Sequence, residues 1–482
     1  MRKFIFSIGI TACFLFVACS GFIEQYPKDQ VYASSSEDLN ELLVGEGYMP
    51  ASTGNDIGVW IHLMDDDVTF VRRNSTRPTE CDFFWWTPDP KTTTWKALYK
   101  RIGVINAILD EIDNFKGEPG DNYRKVKGEA YFLRAAYYYF LVNIYAKPYY
   151  KESASTDMGV PLKLFSKVEN KRYVRSPLQE CYDQISSDLK NAILYLKGLT
   201  PVTTYRTGEM ASRHLLSRVY LYMGEWNGVV SQCDTILSSY SYQLLDYNVF
   251  GDVNKTNATS ATSPETIFTS GANSYNNSWF DPQINSKFQG SDEILALYEP
   301  TDLRRVYYFR GATGGNYGDF WPCKLANRDE GNCSNFFLFR LPEIYLNKAE
   351  ALTVLGENQE AINLLQELRK RRLQAGSSYE VDVNLAGKEL MDIVRAERRR
   401  EFTFEGQRWF DLRRYAVHPV WPYQREIRHA YYESADLVGD IVLRTYDEDS
   451  EYYVLPIPDS EIILNSGFLL QNEMRALKEP GQ

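Results

Sequence analysis

Aromatic rings are the most abundant chemical resource of this sequence. Nine Trp, 35 Tyr and 25 Phe make up 14% of its 482 residues, and several of the Trp stand in polar, irregular stretches. An indole offers a flat face to the apolar C–H side of a sugar ring, while planar polar groups nearby engage its hydroxyls. On that chemistry the loop residues Trp85, Trp86, Trp321, Trp279 and Trp60 are candidate stacking rings, whereas Trp95, Trp226 and Trp409 lie on helical stretches and are expected in the core. Asp65, Asp66 and Asp67 in HLMDDDVTF could accept hydroxyl protons, the plain alternative being a solvated acidic turn. Asp67, just before an apolar segment, is the preferred contact, with Asp65 beside it.

Bond-breaking chemistry is poorly supplied. The four His residues, His62, His214, His418 and His429, are scattered, and no G-x-S-x-G, H-E-x-x-H or paired C-x-x-C motif occurs. A glycosidase needs only two carboxylates about 5 to 10 Å apart, which 64 acidic residues always permit. Here the Glu residues that stand out lie beside Arg in helical stretches, where ion pairing accounts for them. RGATGGNYGDF, from Arg310, has glycines but no Walker lysine, so it reads as a loop and not a phosphate cradle. No enzyme activity, cofactor or metal is expected. Fifty-three basic against 64 acidic residues give a net charge of −11, which disfavours nucleic acid as a partner.

The N-terminus fixes a compartment. Arg2 and Lys3 precede an apolar run from Phe4 to Val17, which as a helix would span about 21 Å and fall short of a ~30 Å hydrocarbon core. It reads as a signal sequence, and its end in Phe16-Val17-Ala18-Cys19 fits a lipoprotein cleavage site, leaving a mature N-terminus at acylated Cys19. Cys181 and Cys233 fall on apolar helical faces, whereas Cys323 and Cys333 bracket a short polar loop and are expected to form a disulfide in an oxidising compartment.

The elements that must hold the rings are helical. Apolar residues from Trp95 to Ile112 recur at three- and four-residue steps. A second helix covers Lys127 to Tyr145 and stops before Pro148. A third is expected to be capped by Ser176, with Pro177 at its first position, Gln179 completing a capping box and Gly198 ending it. Stretches from Ala211 and from Ile344 repeat one helix, Gly turn, helix design when aligned on Gly224 and Gly356, as tetratricopeptide-like hairpins do. Such hairpins must stack. A last long helix is expected over Ile393 to Tyr415, with Glu397, Glu401, Glu405 and Asp411 pairing Arg along it, and Val454 to Asn472 reads as an extended strap. Between Tyr240 and Arg340 the period fades into a long Asn-, Ser-, Thr- and Gly-rich insertion. The fold expected is therefore mainly α, an α-α superhelical scaffold of tetratricopeptide-like hairpins with long irregular loop insertions.

In this order the residues resemble the SusD/RagB family of outer-membrane lipoproteins from Bacteroidetes. The resemblance rests on CSGFIEQYPKDQ at the cleavage site, GEAYFLRAAYYYFLVNIY, RLPEIYLNKAEALTVLGE, ERRREFTFEGQRWFDLRR, and the closing LPIPDSEI with LLQN. It implies a signal peptide over 1–18 and one domain over 19–482, with scaffold at about 95–240 and 341–415 and a ligand-facing insertion at about 240–340. It implies a cell-surface lipoprotein, anchored to the outer membrane by lipid, that captures oligosaccharides and delivers them to a SusC-type TonB-dependent barrel. Peptide capture, as in some members, or a surface glycosidase are the alternatives. The segments around Trp85 and Trp321 resemble those that build the family's ligand site. Where members often carry Asp two residues after the lipid cysteine, this chain has Gly21.

Overall fold

A computed structural model describes residues 33–49, 58–70, 81–239, 241–249, 251, 258–270, 288–310, 321–322, 324, 334, 337–433 and 436–481. Two short helices come first, α1 (Ser36–Leu42), whose Asp38 N–H donates to Ser35 Oγ at 3.2 Å, and the single turn α2 (Cys81–Phe84). The scaffold follows as α3 (Thr94–Glu111), α4 (Asn122–Tyr145), α5 (Leu178–Leu196), α6 (Glu209–Met223) and α7 (Trp226–Ser238). The insertion carries α8 (Asp292–Ala296) and α9 (Arg304–Tyr308). The scaffold resumes in α10 (Leu341–Leu355), α11 (Asn358–Lys370), α12 (Gly387–Glu401) and α13 (Arg408–Ala416), before the short α14 (Tyr446–Asp449) and α15 (Asp459–Leu464).

Neighbours in sequence pack as neighbours in space from α3 through α7, and α7 then packs on α10, so the stack is continuous where the chain is interrupted. Close approach between α4 and α5 depends on Gly128, because a Cβ there would lie 2.6 Å from Leu196. Arg134 of α4 locks the same joint, its Nε and Nη2 donating to Asp188 of α5 at 2.8 and 2.7 Å. The fold is thus mainly α with tetratricopeptide-like hairpins.

Two helix expectations are corrected. No side chain caps α5: Pro177 is its N-cap, and Gln179 instead accepts from Tyr149 Oη and donates to Asp183. Gly198, at φ 76°, does sit at its end. The long helix expected over Ile393 to Tyr415 breaks between α12 and α13, where Phe404 at φ 61° and Gly406 at φ 69° take left-handed conformations.

Strands occur as four antiparallel pairs among the described residues. They are β1 (Val68–Phe70), β2 (Thr266–Thr269), β3 (Phe288–Gly290), β4 (Phe309–Arg310), β5 (Trp321–Pro322), β6 (Leu338–Arg340), β7 (Ile427–Glu433) and β8 (Asp436–Leu443). β1 pairs with β3, β2 with β6, β4 with β5, and β7 with β8. Phe268 of β2 and Phe337 before β6 meet at 5.2 Å, and Phe337 meets Phe140 of α4 edge-on at 5.1 Å, which docks the insertion onto the scaffold. The strap crosses the scaffold, Leu455 N–H donating to Ile144 O at 2.9 Å and Asn472 Nδ2 to Tyr145 O at 2.9 Å, but it is not extended throughout, since α15 occupies Asp459–Leu464 in its middle.

Ion pairs along the helices occur as their spacing suggested, Glu397 with Arg400 at 2.9 Å and Asp411 with Arg414 at 2.8 Å, but Glu397, Glu401 and Glu405 are buried and reach mainly across the chain. Glu401 takes Arg304 at 3.2 Å, Arg340 at 3.1 Å and Arg372 at 3.0 Å; Glu265 takes Arg340 and Arg372 at 2.9 and 2.6 Å. Glu405 pairs with Arg340 and Lys324, and Glu397 with Arg304 at 2.6 Å. Burial pushes the Lys324 ammonium down to about 8, against the pull of Glu405. Removing one member of such a network leaves an uncompensated charge, at a cost of about 3–5 kcal/mol.

Candidate functional site

The segment ahead of α3 builds an aromatic platform. After α2 the chain turns sharply, Thr87 N–H donating to Asp82 O at 2.9 Å, and Trp86 takes a left-handed φ of 49° that only strong packing sustains. Its indole is fully buried, donates from Nε1 to Met64 O at 3.2 Å, and lies 4.4 Å from His429 at an interplanar angle of 12°. Phe84 covers the other face of that imidazole at 3.8 Å. Burial pushes His429 down to about 4, against the pull of the Phe84 and Asp65 carbonyls beside its two nitrogens.

The acidic turn is clamped from below. Arg408 holds Asp66 through Nε and Nη2 at 2.7 and 2.8 Å, Arg399 donates to Asp67 at 2.8 Å, and Arg425 pairs with Asp66 at 2.8 Å. Burial opposes ionisation of Asp66, but Arg408 and Arg399 prevail and hold its carboxyl far below the usual range. Burial raises Asp67, and raises Asp65 well above the ordinary value with help from the neighbouring carboxylates. Ser291 completes the joint, its N–H donating to Asp67 O at 2.9 Å and its hydroxyl to Asp66 O at 2.8 Å.

These positions correct part of the candidate set. Trp86, Asp65 and Asp67 are buried and engaged within the protein, so none presents itself to a ligand from solvent. Trp60 is also inside, stacked on Phe83 at 4.7 Å. Three carboxylates within a few residues looked like a solvated turn or a hydroxyl acceptor; what Asp66 and Asp67 do is anchor three arginines that come from α12, α13 and the segment before β7, while Asp65 accepts from the Asp67 N–H at 2.9 Å. Trp279, Cys19, Cys323 and Cys333 lie outside the described residues. For Trp321 the backbone is described and the side chain is not: Trp321 pairs with Arg310 in the β4–β5 ladder, and β5 packs near β3 of the platform.

Trp85 keeps a relation to the surface. It is only 4% exposed, yet it lines a cleft of about 380 Å³ with Thr87, Tyr431, Val438, Leu477 and Lys478. Its Nε1 donates to Ala430 O at 3.2 Å, and the Tyr431 ring lies 4.7 Å away, tilted by 56°. Glu433 and Glu479 add carboxylates to the lining. The Lys478 ammonium is committed to Asp449 at 2.6 Å, and the apolar wall with carboxylate acceptors at its edge has the composition of a sugar subsite. Tyr431 and Lys478 escaped sequence reading because the β7–β8 hairpin and the C-terminal segment reach Trp85 only through tertiary folding.

Two family models divide the chain in order: one described as "Starch-binding associating with outer membrane" matches residues 24–221, and one described as "SusD family" matches residues 256–474. The chain belongs to the SusD family. SusD-like protein P2 of Formosa agariphila is 21% identical over 443 residues, covering 78% of this chain and 79% of that protein. SusD-like protein P38 of the same organism is 25% identical over 412 residues, covering 71% and 76%. Among solved structures, a SusD superfamily protein from Bacteroides thetaiotaomicron superposes with a TM-score of 0.71 at 21% identity, covering 91% of this chain and all of that one (100%). A SusD-like carbohydrate binding protein from Bacteroides vulgatus gives a TM-score of 0.68 at 21% identity, covering 90% and 97%. These likenesses place the helical stack and its insertion in the SusD fold.

Proposed function

We propose that this SusD-family chain is a lipid-anchored outer-membrane protein that binds oligosaccharides at the cell surface and delivers them to a SusC-type TonB-dependent barrel. The observation that carries the reading is the match of residues 24–221 to a family described as starch-binding and associating with the outer membrane. The cleft at Trp85 supports it, as does the carbohydrate-binding name of a structural relative. Binding rather than catalysis is the role this reading assigns: Asp66 and Asp67 are paired with arginine, and His429 and His214 are held neutral by burial.

The physical sense of the platform is preorganisation. Arg399, Arg408 and Arg425 fix the 58–70 and 288–293 segments beneath the Trp85 and Trp321 regions, so a glycan need not order them on binding. Delivery calls for a weak grip, with a Kd in the micromolar to millimolar range or about −8 to −4 kcal/mol, since tighter complexes release slowly. Acylated Cys19 would tether the protein, and a Cys323–Cys333 bridge would stiffen the loop beyond Trp321.

Calorimetry of the full chain against a glycan panel, repeated for Trp85→Ala and Trp321→Ala, tests the reading. At least one glycan is expected to bind, with at least one variant weakened about tenfold or more, or about 1.4 kcal/mol. No binding across the panel overturns it, and release of reducing sugar would reassign the protein as an enzyme. Cys19→Ala is expected to leave the membrane fraction.

A further inference from the structure

A second aromatic concavity lies at the turn of the α6–α7 hairpin. It measures about 200 Å³, and its lining includes Tyr149, Tyr150, Glu152, Tyr222, Trp226 and His418. It shares no lining residue with the Trp85 cleft. Trp226 was expected in the core but is only half-buried, and Tyr150 is 39% exposed. Trp226 extends the Val229, Cys233 and Ile236 stripe of α7 one turn past the point where the stripe is fully covered, which leaves part of its ring facing this space.

His418 supplies the second, independent observation. Its Nδ1 accepts the N–H groups of Val420 at 3.2 Å and of Trp421 at 3.0 Å. A neutral imidazole whose Nδ1 accepts must carry its proton on Nε2. That Nε2 is buried and has no hydrogen-bond partner, although His418 is only 5% exposed and lines the cavity. Native structures seldom leave a buried donor unmet, so the group points to an acceptor that arrives from outside. Burial pushes His418 down to about 4, opposed by Glu350 and aided by Arg395 and Arg414, so the donor is uncharged at neutral pH.

Charge around the cavity narrows the occupant. Arg414 is committed to Glu350 and Asp411, and the lining Lys151 is balanced by Glu225 at 3.4 Å and by the neighbouring Glu152, so no net positive charge is offered to an anion. Glu152 is exposed, would repel an anion, and accepts hydroxyl protons readily. The volume lies below the roughly 300–1,000 Å³ of drug-sized sites, which limits the guest to one ring.

We propose that this cavity binds a single neutral pyranose unit, its C–H face on Trp226, with a hydroxyl or ring oxygen accepting from His418 Nε2–H and a hydroxyl donating to Glu152. The site stands apart from the Trp85 cleft and would grip a second point of a glycan chain or a branch.

The test uses the full chain in detergent with its histidines labelled with ¹⁵N, so that the four imidazoles report separately. Glucose, galactose, mannose and xylose are each titrated, with a Kd on the order of 1–10 mM expected for at least one. The His418 signal should shift saturably, and the affinity should fall at least tenfold in Trp226→Ala and several-fold in Tyr150→Ala. Asn358→Ala, at the matching position of the other hairpin, should change nothing. No shift of His418 with any of the four sugars overturns the proposal, as does a shift that survives Trp226→Ala. Should Trp226→Ala fail to fold, Tyr150→Ala decides, and unchanged affinity there overturns it. Loss of this shift with glycan binding at the Trp85 cleft intact would separate its failure from that of the proposed function.

Discussion

Gly224 and Gly356 end α6 and α10 in the same left-handed conformation, at φ 72° and 84°, and Glu225 and Glu357 follow them with N–H groups that donate to Tyr220 O and Leu352 O, both at 2.9 Å. Backbone for backbone the two hairpins agree. Their side chains differ at matched positions. Arg218 in α6 stands where Glu350 stands in α10, and the two do one job with opposite charge. Arg218 grips Glu343 of α10 at 2.6 Å, and Glu350 grips Arg414 of α13 at 2.9 Å. Each first helix of a pair thus shares a buried ion pair with a later scaffold element. Trp226 and Asn358 are also matched, and only Trp226 borders an aromatic cavity. Repetition governs the backbone and the sequence of joints, while function is written into positions the repeat leaves free.

The largest effect that could break this comparison is at the joints. Glu343→Ala should cost about 3–5 kcal/mol in urea unfolding at pH 7, because it strands the buried Arg218 guanidinium, and Glu350→Ala somewhat less, because Arg414 keeps Asp411 at 2.8 Å. A cost under about 1 kcal/mol for either would show that the two joints are not equivalent. Replacing both partners, as in Arg218→Met with Glu343→Met, should recover most of the loss.

Acid titration separates the hairpins next. Burial opposes charge on Glu350, but Arg414 prevails and lowers it to about 2. Its contribution is therefore complete above the ordinary carboxyl range near 4.5 and lost as pH falls toward 2. His214 of α6, matched by Leu346 in α10, is pushed by burial down to about 4. The unfolded chain takes up that proton below about 6.5 while the folded chain does not, so stability falls as pH drops from there toward 4, with a limiting slope of about 1.4 kcal/mol per pH unit. Stability curves of His214→Leu should lose that share of the slope, and an unchanged slope would contradict the assignment. Gly224→Ala and Gly356→Ala should then cost alike, about 1–2 kcal/mol each by thermal unfolding, since the left-handed φ is what both share. The smallest effect is expected at Asn358→Ala, within about 0.5 kcal/mol.

Much of this was legible. The αL glycines and the helical stripes are local signals, and they placed the hairpins, α3 and the end of α4 near their observed bounds, whereas α15, inside the run from Val454 to Asn472 expected to be extended, was missed. The break between α12 and α13 was not legible, because ERRREFTFEGQRW keeps an unbroken helical charge pattern while tertiary ion pairs pull Glu401 and Glu405 to partners far away in the chain. The burial of Trp86 went unread for a related reason. A Trp in a loop looks available, yet Trp86 is wrapped by His429 and Met64, which arrive from elsewhere in the chain. Trp226 erred in the opposite direction: it lies on an apolar stripe, but the stripe runs past its cover. Periodicity reports a face and says nothing about how far along the element that face is covered.

The knot of arginines and glutamates around Glu401 has a consequence for how the polypeptide can be made. Arg304, Arg340 and Arg372 precede Glu401 in the chain, and until α12 exists Asp302 and Glu265 supply only part of their counter-charge. The insertion therefore completes its charge balance only once α12 is in place, which makes its closure a late and concerted event.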